Sequence, residues 1–501
     1  MKGIWIVGDQ LIEDNPLIQN SPRAPLIMIE YTGFSLSRTY HKKKLILVWS
    51  AMRHYAEKLR KRGADLTYIK AAEMEKPLNK WIKNKEIDEL HISELANIHL
   101  KKDIEKLNLN CKIVFLPDNQ FMWQAQEFRD WAYSRKKILM EDFYRTGRKK
   151  YDILIEKDGK PSGGKWNLDR ENRKPPPKDG FQEEPPQHIK FPPDKITKEV
   201  IAEVERSKYP TYGKGKDFNL AVTHEDAKKA LDFFIEEKLA NFGSYQDIML
   251  TGDNVLWHSI LSPYLNLGLL HPLNVVKKAE LAYYQKNLPL NSVEGFIRQI
   301  LGWREYMHCI YNYKGGKYLK NNWFNHEREL PTIYWYPERT AMNCMASVIE
   351  EVRDTGYAHH IQRLMVLSNF ALLAEINPLE VKNWFHTAFI DAYDWVMQPN
   401  VIGMGQFADG GIIATKPYIS SANYINKMSD YCRNCAYNHN QRTGVDACPF
   451  NYLYWAFLHK NNEKLRNIAR MKLILKNLDR IDKKELKQIL AQADDFLKSL
   501  K

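Results

Sequence analysis

Six cysteines in 501 residues are far too few for a small secreted scaffold stapled by disulfides. No apolar run approaches the roughly 20 residues that span a bilayer, so no membrane partner is expected. The opening Met1-Lys2-Gly3-Ile4-Trp5-Ile6-Val7 lacks the long apolar core closing on small residues that marks a secretory leader, and the expected location is cytoplasmic. No G-x-G-x-x-G follows the first strand-like run, so a classical dinucleotide site is not supported. No internal repeat is present, which argues against a solenoid. Acid is in deficit, with 61 Asp and Glu against 74 Lys and Arg for a net charge of +13. That balance makes nucleic acid the first partner class to consider. Hydrophobic residues make up 44% and aromatics 12%, as in an ordinary globular protein of two or three domains.

The first 130 residues alternate short apolar runs with helical periodicity. Ile4–Val7, Leu26–Glu30, Leu66–Ile69, Glu89–Ile92 and Lys112–Leu116 read as buried strands. Lys44–Trp49 is a further apolar run, leading into a helical pattern over Ala51–Arg62 that Gly63 stops. The expectation is an α/β domain over 1–130 with a doubly wound, mostly parallel sheet. Ligands of such sheets bind beyond the carboxyl ends of the strands, where Asp9 and Glu30 fall. Residues 131–220 form a basic, Pro-rich connector, with 14 Lys and Arg against 7 Asp and Glu between 131 and 178. Within it, Gly163-Gly164-Lys165-Trp166-Asn167 combines flexible backbone, a cation and a ring, which suits phosphate contact with stacking or a solvated linker. Residues 221–501 carry helical periodicity throughout, including Asp226–Leu239, Val293–Tyr311, Ile361–Glu375 and a basic amphipathic Glu463–Ser499. They predict a large all-α domain.

Cys432-x2-Cys435-x12-Cys448-Pro449 gathers three thiols in one loop. Soft thiolates select zinc or an iron–sulfur cluster, and the Pro after the last Cys matches a ferredoxin pattern. A fourth ligand must come from afar; Cys344 is the better choice, Cys309 the competitor, and Cys111 lies in the other domain.

Polar groups recur in the helical part. His258, Ser259 and Ser262 sit in Trp257-His258-Ser259-Ile260-Leu261-Ser262-Pro263-Tyr264, and Gln299 and Trp303 share a helix face beside Arg304. His359-His360 precede Arg363, and Asp391 and Asp394 stand in an aromatic frame. Each has an ordinary reading as a cap, a core histidine or a surface ion pair.

Together, GDQL, WHSILSPYLNLGLL, WREY, AHHIQRLMVLSNFALL and FIDAYDWVMQPNVIGMGQFADGG resemble the photolyase/cryptochrome flavoproteins. YDILIEKDGKPSGGKWNLDRENRKPPP and KPYISSANYINKMSDYCRNCAYN are similar to the bacterial iron–sulfur branch, the prokaryotic (6-4) photolyases and their cryptochrome-like relatives. The resemblance covers essentially the whole chain.

It implies FAD bound in the helical domain. His258, Ser259, Leu261 and Ser262 match the segment that cradles the phosphates; Gln299, Trp303 and Arg304 match a helix lining the cofactor. Arg363 and Asp391 match the charged pair beside the isoalloxazine. Cys344, Cys432, Cys435 and Cys448 match the ligands of a [4Fe–4S] cluster. A 6,7-dimethyl-8-ribityllumazine antenna is implied in the N-terminal domain, with Asp9 and Glu30 as its holders and Ser35 and Tyr40 as weaker choices. The implied reaction repairs UV-induced (6-4) lesions in double-stranded DNA with an electron from photoexcited reduced FAD. His360 is the implied proton donor, supported by His359 and with Tyr424 as partner. A divalent metal, Mg2+, held through Asp169 at the lesion pocket is a further expectation, as is a monomer.

The chain departs from the family at two places. Trp384 matches the inner member of the electron-carrying aromatic chain, but Phe385 follows it and Tyr336 is the outer match; Phe relays electrons poorly, so Trp335, Tyr393 or Trp395 offer another route. Met397 stands where other branches place Asn or a carboxylate facing the flavin N5. Three readings result: a (6-4) photolyase, a blue-light photoreceptor of the same fold, and a light-independent iron–sulfur nucleic-acid binder without flavin.

Overall fold

The structure is a computed structural model that describes residues 1–177, 179–181 and 183–500. Five strands, β1 (Lys2–Ile6), β2 (Leu26–Tyr31), β3 (Leu66–Ala71), β4 (Glu89–Ser93) and β5 (Lys112–Leu116), form one parallel sheet in the order β3-β2-β1-β4-β5. All four pairings are parallel, with Ile4 opposite Leu26 and His91. The order reverses direction at β1, so the loop holding Asp9 lies at the point where two crossovers diverge.

The apolar run Lys44–Trp49 does not form a strand. It is the first half of a helix, Lys42–Lys61, whose N-terminus is capped by His41 accepting the Lys43 N–H at 3.1 Å. Leu45, Ile46, Leu47, Trp49, Ala51 and Met52 are all buried, because one face meets the sheet and the other meets the helical half. A helix buried all round shows no polar stripe, and a short apolar run then reads equally as strand or helix.

The connector is more ordered than its composition predicts. Helix Met140–Tyr151 packs on the segment Arg298–Arg304, and helix Lys195–Arg206 packs along Lys42–Lys61. Thr211–Tyr212 pairs in parallel with Tyr40–His41. Between Glu171 and Lys195 the described residues form no helix or strand. Trp166 is surrounded by cations, with Arg148 and Lys149 each 5.3 Å from its ring. Arg148 is fully buried and donates to the carbonyls of Ile153, Trp166 and Leu154, so it is a structural clamp.

The C-terminal half is helical, as expected, with no helix among the described residues long and apolar enough to cross a membrane. Glu463–Ser499 is broken into Asn462–Arg466, Lys472–Leu478 and Lys483–Ser499. Three expected helices are interrupted by wider π-helical turns at Phe234–Lys238, Arg298–Arg304 and Gln362–Ser368, with a fourth at Gln398–Gly405. Such turns insert a residue and re-aim side chains, often at functional sites. One continuous hydrophobic core joins the Lys42–Lys61 helix to the helical half.

Candidate active site

A cavity of about 280 Å³, open to solvent on one side, lies within the helical half. One wall is the turn Leu256–Leu261, in which the non-glycine residues Leu256 and Ile260 both hold left-handed backbone (φ 49° and 51°). Strain of that kind costs about 1–3 kcal/mol per residue and persists where the surroundings over-determine it. It turns His258, Ser259, Leu261 and Ser262 onto the cavity. The π-helical turn Arg298–Arg304 supplies Gln299, Trp303 and Arg304. Two further turns of that type supply Arg363 and Asn400.

The charged centre of the wall is a two-pronged pair. Arg363 donates Nη1 to Asp391 Oδ1 at 3.0 Å and Nη2 to Oδ2 at 3.1 Å. Ser262 Oγ donates to Asp391 Oδ2 at 2.7 Å, and Asn266 Nδ2 to the Asp391 carbonyl at 2.9 Å. Arg363 Nε is anchored on the Ala358 carbonyl at 2.6 Å. Asn266 escaped the sequence reading, although it lies four residues after Ser262 and therefore on the same helix face. Arg304 donates to Glu305 at 2.6 Å, and Glu305 accepts the N–H groups of Met122 and Trp123; the Arg304 Nε is buried without a partner.

His360 lines the cavity. It is open to that space yet deep in the fold, and burial, with the nearby Arg363 cation, lowers its pKa to about 4. His359 does not line the cavity. It is fully buried and stacks on His258 with centroids 4.6 Å apart and planes 12° apart, and neither of its ring nitrogens has a partner. Successive residues diverge here because helix Asn343–Thr355 ends at Gly356 (φ 69°), where a Cβ would meet Ile390 Cγ2 at 2.6 Å. His258 is thus the second imidazole on the cavity wall, its Nε2 bonded to the Gln246 carbonyl at 3.0 Å. Tyr424 lies outside the lining, half-buried near Asp247, with its hydroxyl pKa raised by burial.

Asp169 is held by two guanidiniums: its Oδ1 accepts from Arg298 at 2.5 Å and its Oδ2 from Arg173.

Of the aromatic chain, Phe385 lines the cavity and touches Trp384 edge-on at 5.2 Å. Trp384 is buried, and Trp335 lies 6.4 Å beyond it. Tyr336, next in sequence to Trp335, is 49% exposed under Arg339. Trp395 and Met397 line another part of the cavity, Trp395 against Phe121 at 5.0 Å. Tyr393 stands near Lys44 instead.

Cys344, Cys432, Cys435 and Cys448 line one small cavity, of about 10 Å³, with Tyr431. All are free thiols. Burial and the neighbouring sulfurs raise the Cys344 thiol well above its usual range, Cys432 to about 11 and Cys448 to about 12. Cys309, the competing ligand, lies elsewhere, fully buried in helix Glu305–Lys314. Among the described residues, no three His, Cys, Asp or Glu side chains converge closely enough to hold a single ion.

At the sheet, Glu30 is 0% exposed and held in a network. Arg53 grips both oxygens at 2.8 and 2.9 Å, and Tyr68 donates at 2.6 Å. Burial raises the Asp9 carboxyl to about 6 and lowers the nearby Lys44 to about 7. The hydroxyls of Ser35, Ser50 and Ser93 and Nη1 of Arg38 are buried without partners around these strand ends.

Comparison with known proteins agrees with this arrangement. The family model for deoxyribodipyrimidine photo-lyase-related protein matches residues 4–220. The (6-4) photolyase of Agrobacterium fabrum is 43% identical over 507 aligned residues, covering 99% of both chains. An uncharacterised protein of Acanthamoeba polyphaga mimivirus is 38% identical over 136 residues, 27% of this chain and all of that one. The crystal structure of a bacterial class III photolyase from Agrobacterium tumefaciens superposes with a TM-score of 0.56 at 14% identity, covering 99% of this chain and 97% of that one, a likeness of fold. A relative this similar along its entire length, with the same fold and a polar cavity built on the family's motifs, establishes that the chain belongs to the photolyase family.

Proposed function

We propose that the protein is a light-dependent (6-4) photolyase acting on UV-damaged double-stranded DNA as a cytoplasmic monomer. The observation that carries this reading is the placement of His360 on the same cavity as the Arg363–Asp391 pair. The full-length resemblance to a named (6-4) photolyase supports the lesion class.

The cavity suits FAD in chemistry: hydroxyls of Ser259 and Ser262 along one wall with Leu261 between them, a fixed ion pair, the unpartnered Arg304 Nε, and apolar Phe296 and Met307 elsewhere in the lining. Bound there, FAD supplies light absorption and one-electron chemistry. The protein's part is positioning. Asp391 consumes the charge of Arg363 before any ligand arrives, so the guanidinium plane is fixed with little entropy left to lose. The apolar wall excludes water, which strengthens every polar contact inside.

His360 handles the proton. At neutral pH its imidazole is uncharged in the free protein, because its pKa lies near 4. A neutral imidazole holds one N–H to give and one lone pair to receive, which is what moving a proton between two lesion rings requires. Incoming DNA phosphates raise its pKa toward neutrality by favouring the charged form. A damaged base also costs less to extrude from the duplex, which contributes selectivity.

The four cysteines, gathered on one small cavity, form the soft-donor set that a [4Fe–4S] cluster takes. The orphaned hydroxyls near Asp9 suit the polar edge of a lumazine antenna. Glu30, already engaged by Arg53 and Tyr68, is the weaker of the two holders. Electrons are proposed to enter through Trp335 and Trp384, the aromatic pair leading outward from the cavity-lining Phe385.

The test is a repair assay on duplex oligonucleotides carrying one (6-4) lesion, with the purified, reduced protein under blue light. Restored intact pyrimidines are expected. Bound flavin with no repair would overturn the enzyme reading and favour a photoreceptor.

A further inference from the structure

The cysteine cavity and the large cavity are joined by a short chain of buried polar groups that nothing in the repair reading uses. Gln362, immediately before Arg363, is 0% exposed. Its Oε1 accepts the backbone N–H of His359 at 3.1 Å. Its Nε2 donates to Glu351 Oε2 at 2.8 Å and to the Tyr431 hydroxyl at 3.0 Å. Tyr431 is itself fully buried and forms part of the cysteine cavity's wall, one residue before Cys432. Its carbonyl accepts Asn343 Nδ2 at 2.9 Å, one residue before Cys344. Glu351 lies on the same helix as Cys344, two turns on and therefore on the same face. Both branches from Gln362 thus return to the segments that present the thiols.

We propose that Gln362 is a positioning residue through which the cysteine centre sets the location of the His359–His360 backbone on the large cavity. The proposal rests on the reading of His360 as the proton-handling side chain. The physical logic is satisfaction. An amide buried in low dielectric costs heavily if any of its groups loses a partner, so a shift of Tyr431 or of the Asn343–Thr355 helix must be followed by Gln362. Gln362 in turn holds the N–H at the point where His359 turns into the core and His360 turns onto the cavity. A metal held by the cysteines would fix Tyr431, and that order would reach the His359–His360 backbone through the two hydrogen bonds of Gln362.

Tyr431→Phe removes the hydroxyl with no change of shape and leaves the bonds from Gln362 to His359 and Glu351 in place. Gln362→Leu removes all three. Iron and flavin content, hydrogen exchange of the 357–363 backbone followed by mass spectrometry, and repair per photon are measured on full-length, metal-loaded protein. In both variants, iron and flavin stoichiometry are expected to stay at the wild-type level, with exchange over 357–363 about tenfold faster, the scale of one lost buried hydrogen bond. Repair is expected to fall about tenfold in Gln362→Leu and about threefold in Tyr431→Phe, with lesion-DNA affinity within threefold. The double variant is expected to be no worse than Gln362→Leu, because both remove one path. Wild-type exchange in Tyr431→Phe overturns the proposal, leaving Gln362 as a local cap for His359; so does loss of iron from that variant, which makes Tyr431 a mere wall of the cysteine cavity. Should Gln362→Leu not fold, the isosteric Tyr431→Phe decides alone. The exchange result stands even if wild-type protein repairs nothing, so failure of the link and failure of the repair reading are separable.

Discussion

The large cavity and the cysteine cavity solve opposite electrostatic problems. In the large cavity the charges are already balanced: Arg363 faces Asp391, Arg304 faces Glu305, and Ser262 and Asn266 complete the hydrogen bonds of Asp391. Such a site is pre-formed before its ligand arrives. In the cysteine cavity no Lys or Arg stands among the lining residues. Burial, and after it the neighbouring sulfurs, raises the pKa of the Cys344, Cys432 and Cys448 thiols. A metal bound there would supply the positive charge that turns them into thiolates, and its binding energy would add to folding energy. One site is charge-balanced without its ligand; the other would be balanced by one.

Cys432→Ala should break this contrast most severely. One lost ligand opens the metal site, and the expected result is loss of iron together with loss of soluble protein. Metal analysis and the soluble fraction on expression check it; a soluble variant with full iron content would refute the ligand assignment.

Asp391→Ala tests the pre-formed site. It strands the Arg363 guanidinium in a largely buried position, and breaking such a pair costs about 3–5 kcal/mol. Flavin should be lost and the urea midpoint lowered, while iron remains. Iron lost in parallel would show that the two cavities are not independent in stability.

His360→Ala separates chemistry from binding. FAD and iron should remain while repair falls by about 10²-fold or more, the lower end of what a positioned acid–base group contributes. Undiminished repair would remove His360 from the mechanism.

A separate, pH-dependent effect concerns histidines outside both cavities. His41 and His326 are buried, and burial lowers them from 6.5 to about 4 and about 3. Between pH 6.5 and 4 the unfolded chain therefore binds more protons than the folded one. Stability falls as pH drops through that window, by about 1.4 kcal/mol per pH unit for each histidine. Thermal midpoints between pH 8 and 4 should decline below 6.5, and His326→Gln should flatten the decline; an unchanged slope would assign the acid sensitivity elsewhere.

Much of this was legible in the residues. Short apolar runs at regular spacing gave away the parallel sheet, since a strand buried on both faces needs a continuous apolar run. The Cys432–Cys448 loop advertised its chemistry because two thiols spaced by two residues have few other uses. Lys44–Trp49 showed no helical period because the buried first half of a helix loses the polar stripe that betrays it. His359 and His360 looked like one functional pair because adjacency in sequence says nothing of direction; the end of a helix at Gly356 sends one ring into the core and the other onto the cavity. The pairing of Asp169 with Arg298 was hidden because the two lie 129 residues apart.

By itself the sequence determined the fold class, the basic charge, the soft-donor set and the residue types around the large cavity, because these follow from local pattern and side-chain chemistry. The tertiary structure decided which of those residues meet. The pairing of Arg363 with Asp391, the gathering of Cys344 with three distant cysteines and the route from Tyr431 through Gln362 to His359 all join segments far apart in the chain. Contacts of that kind arise from packing, which no local periodicity encodes.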